Sequence, residues 1–580
     1  MSQTSEQLIQ NYFSQASDPK EAIDAIQRDL GKTILPNTEL LYTLLELSGC
    51  SRAQIHEKCL EALKRALIQK IESDDFGYDQ YRALFPRVYK YIDNAYLYPI
   101  PMALLKKFEQ FIEDDILEEL KSDTRRFDNC PLVVKQRIWK KNEDFFQTQV
   151  LALLNEYHYD EKIDMLAMNI QPDSYKEILN TRREHSVVNR LIHMINDDRQ
   201  LYTMFVDTAR HIFGSSPYQS ISAIRVDVLM RFHEKNADEV ISKDICRQLI
   251  LALDTNTRHL ARNDALIKSI QKCFKRVYNG TTAFNDYAMI LMDPLYSTFL
   301  ASTIIHLLQQ SLEATAPSGE VESMIESIAK FLNMGAQIPL YADKEGELLP
   351  SLDKRTVMDF VTKLAVVMSE EEVPTAQRDM TPIATIQARL GENQVCRKIF
   401  IQYCTARLAA GDINTLAILL PLIVDTLPDN DDKNNLERAA HISAYESLGK
   451  TVLNLVSKNY MVECATSLAW RTTLMDKFLF RLAKWSYKMH RELARLFVNF
   501  YADEKVLRAL GQHVAVVADW AEFLYSVGVK TDDNFYELGA IYSELLDRSE
   551  HTMSGTFRIA PRSVVWFRNE YHKRLAEEEQ

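Results

Sequence analysis

The stretch LEALKRALIQKI, residues 60–71, sets Leu60, Leu63, Leu67 and Ile71 on one face at spacings of three and four. Glu57, Glu61, Lys64 and Arg65 fill the remaining faces. This is the 3.6-residue period of an amphipathic helix, not the two-residue alternation of a strand. Further along, Leu105, Phe108, Ile112, Ile116 and Leu120 repeat the pattern, backed by Glu109, Glu113, Asp114, Glu118 and Glu119, and predict a second helix. Pro131 after Asp128 and Asn129 reads as a cap followed by a proline start. The helix it opens is expected to carry Trp139 and the Phe145–Phe146 pair.

Composition points the same way. The chain has only 15 glycines and 17 prolines in 580 residues, so the tight hairpins that need positive φ must be few. The expected fold class is all-α. Polar and turn-forming clusters at Glu72–Tyr81, Ser122–Asn129, Ala314–Glu320, Ser369–Pro382 and Pro428–Asn435 break the helical pattern. They suggest four regions: 1–127, 128–313, 314–382 and 383–580. Helices of ordinary length between such breaks suit an irregular HEAT-like array or a set of packed helical hairpins. No fixed repeat distinguishes the two.

The formal charge of −13 argues against whole-surface attraction to nucleic acid or anionic lipid, though not against a local basic face. Eight scattered cysteines with no Cys-x-x-Cys read as reduced thiols of the cytosol or nucleus. The opening Met-Ser-Gln-Thr-Ser-Glu lacks an apolar core, so no secretory leader is expected. The apolar run at Leu416–Val424 contains Pro421 and is too short to span a bilayer.

Catalytic signatures are missing. Gly31-Lys32-Thr33 resembles the end of a phosphate loop, but the required earlier glycine is Ile26. Ser269 and Lys272 form a Ser-x-x-Lys spacing without supporting partners. Tyr157-His158-Tyr159-Asp160-Glu161 is the nearest approach to a metal cluster and reads as a solvated helix end. No catalytic residue, metal ligand or cofactor is expected.

One charge pattern stands out. On an ideal helix, Arg258, Arg262, Lys268, Lys272, Lys275 and Arg276 fall within an arc of about 140°. Leu260, Leu266, Ile267, Ile270, Cys273, Phe274, Val277 and Tyr278 occupy the facing arc. Two readings stand. The stripe docks RNA, DNA backbone or an acidic partner, or it is a snorkelling surface helix paired with neighbouring acids. A smaller basic set, Lys135, Arg137, Lys140 and Lys141, surrounds Trp139 and belongs partly to a packing seam. Near the C-terminus, Phe557, Val564, Val565, Trp566, Phe567 and Tyr571 crowd one segment. It either docks on the last helices or offers Trp566, Phe567 and Tyr571 to a partner.

Several segments resemble the B subunit family of the negative elongation factor complex. Val134-Lys135-Gln136-Arg137-Ile138-Trp139 is similar to its Val-Lys-x-x-Ile-Trp stretch. Met289-Ile290-Leu291-Met292-Asp293-Pro294, with Ser302-Thr303 and His306-Leu307, resembles its Met-Ile-Leu-x-Asp-Pro segment. Arg225, Leu229-Met230 and His233 match its Arg-x-x-x-Leu-Met-x-x-His spacing. Pro19 to Ala25, Gly31, Leu35-Pro36 and Gly49 follow its N-terminal layout. The C-terminal aromatic segment stands where animal members of the family finish in a proline-rich tail.

The resemblance implies a nuclear, non-catalytic scaffold that joins the C (or D) subunit to the E subunit, with the A subunit present by assembly. Through that complex it implies contact with RNA polymerase II, paused shortly after initiation, and with the DRB-sensitivity-inducing factor. It also implies a possible contact with nascent RNA, and no membrane. From the residues alone, a HEAT-like adaptor for trafficking or transport and an all-helical enzyme with a dispersed site remain the alternatives.

Overall fold

In the computed structural model, the structure describes residues 51–215, 218–259, 264–279, 282–313, 319–341, 353–370, 379–412, 442–454 and 571–577, parts of 419–427 and 478–495, and a few single positions elsewhere. Among these residues every regular element is helical and no strand occurs, so the all-α class read from the sequence holds. The chain divides into two compact units, Met1–Phe146 and Gln147–Gln580.

The first unit contains α1 (Arg52–Glu72), α2 (Tyr78–Tyr89), α3 (Pro99–Lys107), α4 (Asp114–Ser122), α5 (Thr124–Asn129) and α6 (Leu132–Lys141). Helix α1 opens on a reciprocal cap. Ser51 Oγ accepts from the Gln54 N–H at 3.4 Å, and Gln54 Oε1 accepts from the Ser51 N–H at 3.1 Å. Its C-terminus is closed from elsewhere in the unit, where Lys107 Nζ donates to the carbonyls of Ile71 (2.9 Å) and Ser73 (2.6 Å).

The continuous helix expected across Leu105–Leu120 is broken. Helix α3 ends at Lys107, a 3₁₀ turn covers Glu109–Phe111, and α4 begins at Asp114. The break has a tertiary cause. Arg137 Nη2 donates to the Ile112 carbonyl at 2.8 Å and Nη1 to that of Glu109, engaging acceptors that a continuing helix would use. The kink lets Phe108 stack on Tyr81, with centroids 4.7 Å apart.

Two further differences lie nearby. The expected break at Ser122–Asn129 holds the short helix α5, capped by Asp123, whose Oδ1 accepts from the Arg125 and Arg126 N–H groups at 2.9 and 3.2 Å. The helix opened by Pro131 ends at Lys141, so Trp139 lies on it while Phe145 and Phe146 belong to the next helix, α7 (Glu143–His158). The aromatic residues still meet. Trp139 packs edge-on against Phe127 and Phe146 at 5.9 and 6.0 Å.

The second unit continues with α8 (Glu161–Met168), α9 (Tyr175–Arg183), α10 (Ser186–Ile195), α11 (Arg199–Ser215), α12 (Gln219–Glu234), α13 (Arg247–His259), α14 (Asp264–Asn279), α15 (Thr282–Leu291), α16 (Pro294–Glu313), α17 (Gly319–Tyr341), α18 (Lys354–Ser369), α19 (Thr381–Glu392) and α20 (Gln394–Ala409). Helix α12 is central, packing against α9, α10, α11, α13 and α15. Every residue from Ile221 to Met230 is buried, including Arg225 and Asp227. Helix α16 is buried from Pro294 to Ala301 and packs against α17, α18 and α20. A helix enclosed on all sides cannot be amphipathic, so charges on α12 must find partners inside the protein.

Candidate functional site

The charged interior of the second unit is its most distinctive feature. Arg182, near the end of α9, is 4% exposed and fully engaged. Its Nε donates to Asp227 Oδ2 (2.8 Å). Nη1 and Nη2 donate to Asp293 Oδ1 and Oδ2 (3.0 and 2.7 Å), and Nη2 also reaches the Ala223 carbonyl (3.1 Å). Asp293 meanwhile caps α16 by accepting from the Leu295 N–H at 2.9 Å. The planar fork of an arginine matches such a paired carboxylate, which a lysine could not do.

The adjacent Arg183 donates to Glu234 Oε1 at 3.0 Å and to Asp254. Arg258 closes the set, with Nη2 2.8 Å from Glu234 Oε1 and Nε 3.2 Å from Asp254 Oδ2. Arg231 adds a bond to Glu234 Oε2 at 3.2 Å. Arginines and acids thus interleave across α9, α12, α13 and the start of α16. Burial works against the charge on Arg182, and Asp227 and Asp293 more than offset it, holding its pKa well above the usual range. Burial pushes Asp227 and Asp254 up, opposed by the guanidinium groups beside them.

A second buried pair lies on the same central helix. Arg225 donates to Asp244 Oδ1 at 3.0 Å, while Asp244 Oδ2 accepts from Tyr202 Oη at 2.6 Å and Oδ1 from the Cys246 N–H at 2.8 Å. Burial pushes Asp244 up, and Arg225 with these hydrogen bonds more than reverses it, leaving the carboxyl below the ordinary aspartate range. On α20, Lys398 is buried and forms no ion pair among the described residues. Its pKa is pushed down to about 8 by burial, with the Asp293 charge opposing.

These groups brace helices. Among the described residues no cluster of three or more His, Cys, Asp or Glu side chains is placed to hold a metal. A largely apolar cleft of about 150 Å³ lies beside Arg182, walled by His158, Ile163, Ile170, Tyr218 and Leu295. Its rim acid, Asp164, is paired with Lys488 at 2.5 Å, and its histidine is held by Ser220 Oγ at 2.7 Å. The segment read as a solvated helix end is therefore partly interior. Tyr157 is fully buried, and Asp160 caps α8 while bonding His185 at 3.1 Å. Cys130, Cys246, Cys396 and Cys404 are free thiols, and they and Cys273 are buried. No single helix among the described residues is long and apolar enough to cross a membrane.

The basic stripe changes in composition. Arg258 does not share a helix with the lysines; it ends α13 and is committed to Glu234 and Asp254. Arg262 lies outside the described residues, and Arg276 is on α14 with its side chain undescribed. Lys268, Lys272 and Lys275 are exposed on α14 and form no ion pair among the described residues, while Leu266, Ile270 and Cys273 are buried on the opposite face. The second basic set is structural. Lys135 donates to the Asp128 carbonyl (2.8 Å), Arg137 closes the 3₁₀ turn, and Lys141 pairs with Asp114. Trp566 and Phe567 lie outside the described residues. Tyr571 is half-buried on a helical stretch, residues 571–577.

Sequence reasoning missed Arg182, Arg183, Asp227 and Asp254. The available signal was charge interrupting an apolar run, as Arg225 and Asp227 interrupt Ile221–Met230. Three of the segments that resemble the elongation-factor family contribute interior residues, while the N-terminal one, 19–49, lies outside the described residues apart from single positions. Val134 and Ile138 are fully buried, Trp139 is 3% exposed, Arg225 and Asp293 are completely enclosed, and Ser302 Oγ accepts from Gln402 at 3.0 Å.

Fold and site together define an all-helical protein whose interior charges hold helices to one another. Residues 95–425 match the family described as Cofactor of BRCA1 (COBRA1), and the chain belongs to that family. It is similar to Negative elongation factor B of Mus musculus, with 22% identity over 85% of this chain and 86% of the relative. The Homo sapiens protein of the same name gives the same figures. That of Drosophila melanogaster is 25% identical over 71% of this chain and 73% of its own.

Proposed function

We propose that this chain is a nuclear, non-catalytic scaffold subunit of a negative-elongation-factor complex, joining a C or D subunit to an E subunit, with an A subunit entering by assembly. In that complex it helps hold RNA polymerase II paused, together with the DRB-sensitivity-inducing factor. The supporting observation is where the family likeness falls. Residues 95–425 match the family, the relatives are named Negative elongation factor B, and Arg137, Trp139, Arg225 and Asp293 of the segments that resemble it brace the interior, as suits a frame. The test is affinity purification from nuclear extract. Recovery of polymerase and the other elongation-factor subunits is expected, and recovery of coat or cargo proteins instead would overturn the reading.

The RNA contact is proposed for Lys268, Lys272 and Lys275 of α14, with Arg262 and Arg276 as neighbours in sequence. An exposed lysine row without acidic partners among the described residues is suited to replacing counterions on a phosphate backbone. Changing the three lysines to glutamate should weaken RNA binding by the assembled complex. The slope of log affinity against log salt should fall by about 0.7 for each phosphate that is no longer neutralised. Unchanged affinity and slope would assign α14 a packing role alone. Trp566, Phe567 and Tyr571 are retained as a proposed partner-binding strip.

A further inference from the structure

In the first unit, aromatic side chains form a ladder that begins in the core and ends in solvent. Phe76, Phe108, Tyr81 and Phe85 are each 6% exposed and lie in ring contact, with Tyr81–Phe108 centroids 4.7 Å apart and Tyr81–Phe85 at 5.1 Å. The outer end is Tyr78 and Phe111. Their centroids are 4.5 Å apart, and each residue is 44% exposed. Neither is loosely held. Tyr78 opens α2, and Phe111 closes the 3₁₀ turn gripped by Arg137.

The cations nearby are committed: Arg137 grips the carbonyls of the 3₁₀ turn, Lys141 pairs with Asp114 and Lys107 closes α1. Neither 72–81 nor 108–120 contains a lysine or arginine. Asp74, Asp75, Asp79, Glu113 and Asp115 are exposed and form no ion pair among the described residues. The ladder already accepts a cation at its inner end, where Lys107 Nζ sits 5.8 Å from the Phe76 ring and 5.6 Å from Phe108.

We propose that Tyr78 and Phe111, with the carboxylates around them, form a docking platform for a basic, arginine-bearing segment of a partner protein. A guanidinium laid on the outer rings gains the cation–π attraction, and its neighbours gain the acidic field. Because buried rings fix the platform beforehand, little side-chain entropy is lost on binding. The proposal does not depend on the chain's part in transcription.

The test uses the full chain and fluorescence anisotropy, with a short labelled peptide of alternating arginine and serine as probe. Matching lysine–serine and leucine–serine peptides serve for comparison. The arginine peptide should bind tightest and weaken as salt rises. Tyr78→Ala combined with Phe111→Ala should weaken it by about tenfold, while Tyr78→Phe with Phe111→Tyr should leave it within about twofold. Circular dichroism checks folding. Should the alanine pair unfold, Asp74→Asn, Asp75→Asn and Glu113→Gln together decide, with a similar loss expected. The proposal fails if the alanine pair binds like the parent. It fails if neutralising Glu320 and Glu322, which belong to the second unit, weakens the peptide equally. It also fails if the leucine peptide binds best, or if the platform proves to be covered by a second copy in a concentration-dependent dimer.

Discussion

Replacing Arg182 with methionine keeps much of the side-chain volume and removes the charge that joins α9, α12 and α16. Four hydrogen bonds go with it: one to Asp227, two to Asp293 and one to the Ala223 carbonyl. Counted singly, bonds to a charged group contribute about 1.5–3 kcal/mol each. That sum is a ceiling, because bonds sharing one guanidinium are not additive. The better measure is the cost of removing one partner from a buried ion pair, about 3–5 kcal/mol. Against a total stability of about 5–15 kcal/mol, this is a large fraction. The variant should lose roughly that amount in urea unfolding followed by circular dichroism, with faster hydrogen exchange in α9, α12 and the first turns of α16. The loss should arise chiefly from Asp293, which is left with no ion pair among the described residues, whereas Asp227 keeps Arg183 Nε 3.7 Å away. Arg182→Met combined with Asp293→Asn should therefore recover part of it. The reasoning is refuted if the single variant unfolds with the parent, or if the double variant is no more stable than the single.

Three further outcomes follow from the same structure. Lys398→Met should stabilise the chain by up to roughly 3 kcal/mol at neutral pH, from the displacement of its pKa to about 8. Since the folded pKa lies below the unfolded one, the parent should gain stability as pH rises from about 8 towards the unfolded lysine value, a trend the variant should lack in unfolding measured across that range. Gly335→Ala should destabilise by about 1–3 kcal/mol despite better helix propensity, because its Cβ would sit 3.0 Å from the Leu291 carbonyl oxygen. A melting temperature equal to the parent's would contradict that. Trp139→Ala should cost about 3–5 kcal/mol. The loss should show first as increased hydrogen exchange in α5 and α6, where Phe127 packs against the indole.

Much of the fold was legible because helical periodicity is local. The apolar face of α14 follows from spacing alone, and the buried Leu266, Ile270 and Cys273 fall where that spacing puts them; on α1 the same spacing makes the helix but buries only Ile71, leaving Leu60 and Leu63 39% and 66% exposed among the described residues. The exceptions have tertiary causes. Leu105–Leu120 has an unbroken apolar stripe, yet the chain bends there because Arg137, from another helix, engages two carbonyls. Arg258 has the right angular position for the basic stripe, yet Glu234 and Asp254 claim it.

Helical class, scarcity of turns and the exposed lysine face were set by residue order, since each depends on neighbours within a few positions. The buried lattice of arginines and acids was decided only by tertiary structure. Its partners stand far apart in the chain, as Arg182 and Asp293 do, and a charge gains more than it loses by burial only when folding brings the opposite charge within hydrogen-bond reach. The outward aromatic platform has the same origin, because Tyr78 and Phe111 become one surface only through the bend that Arg137 stabilises.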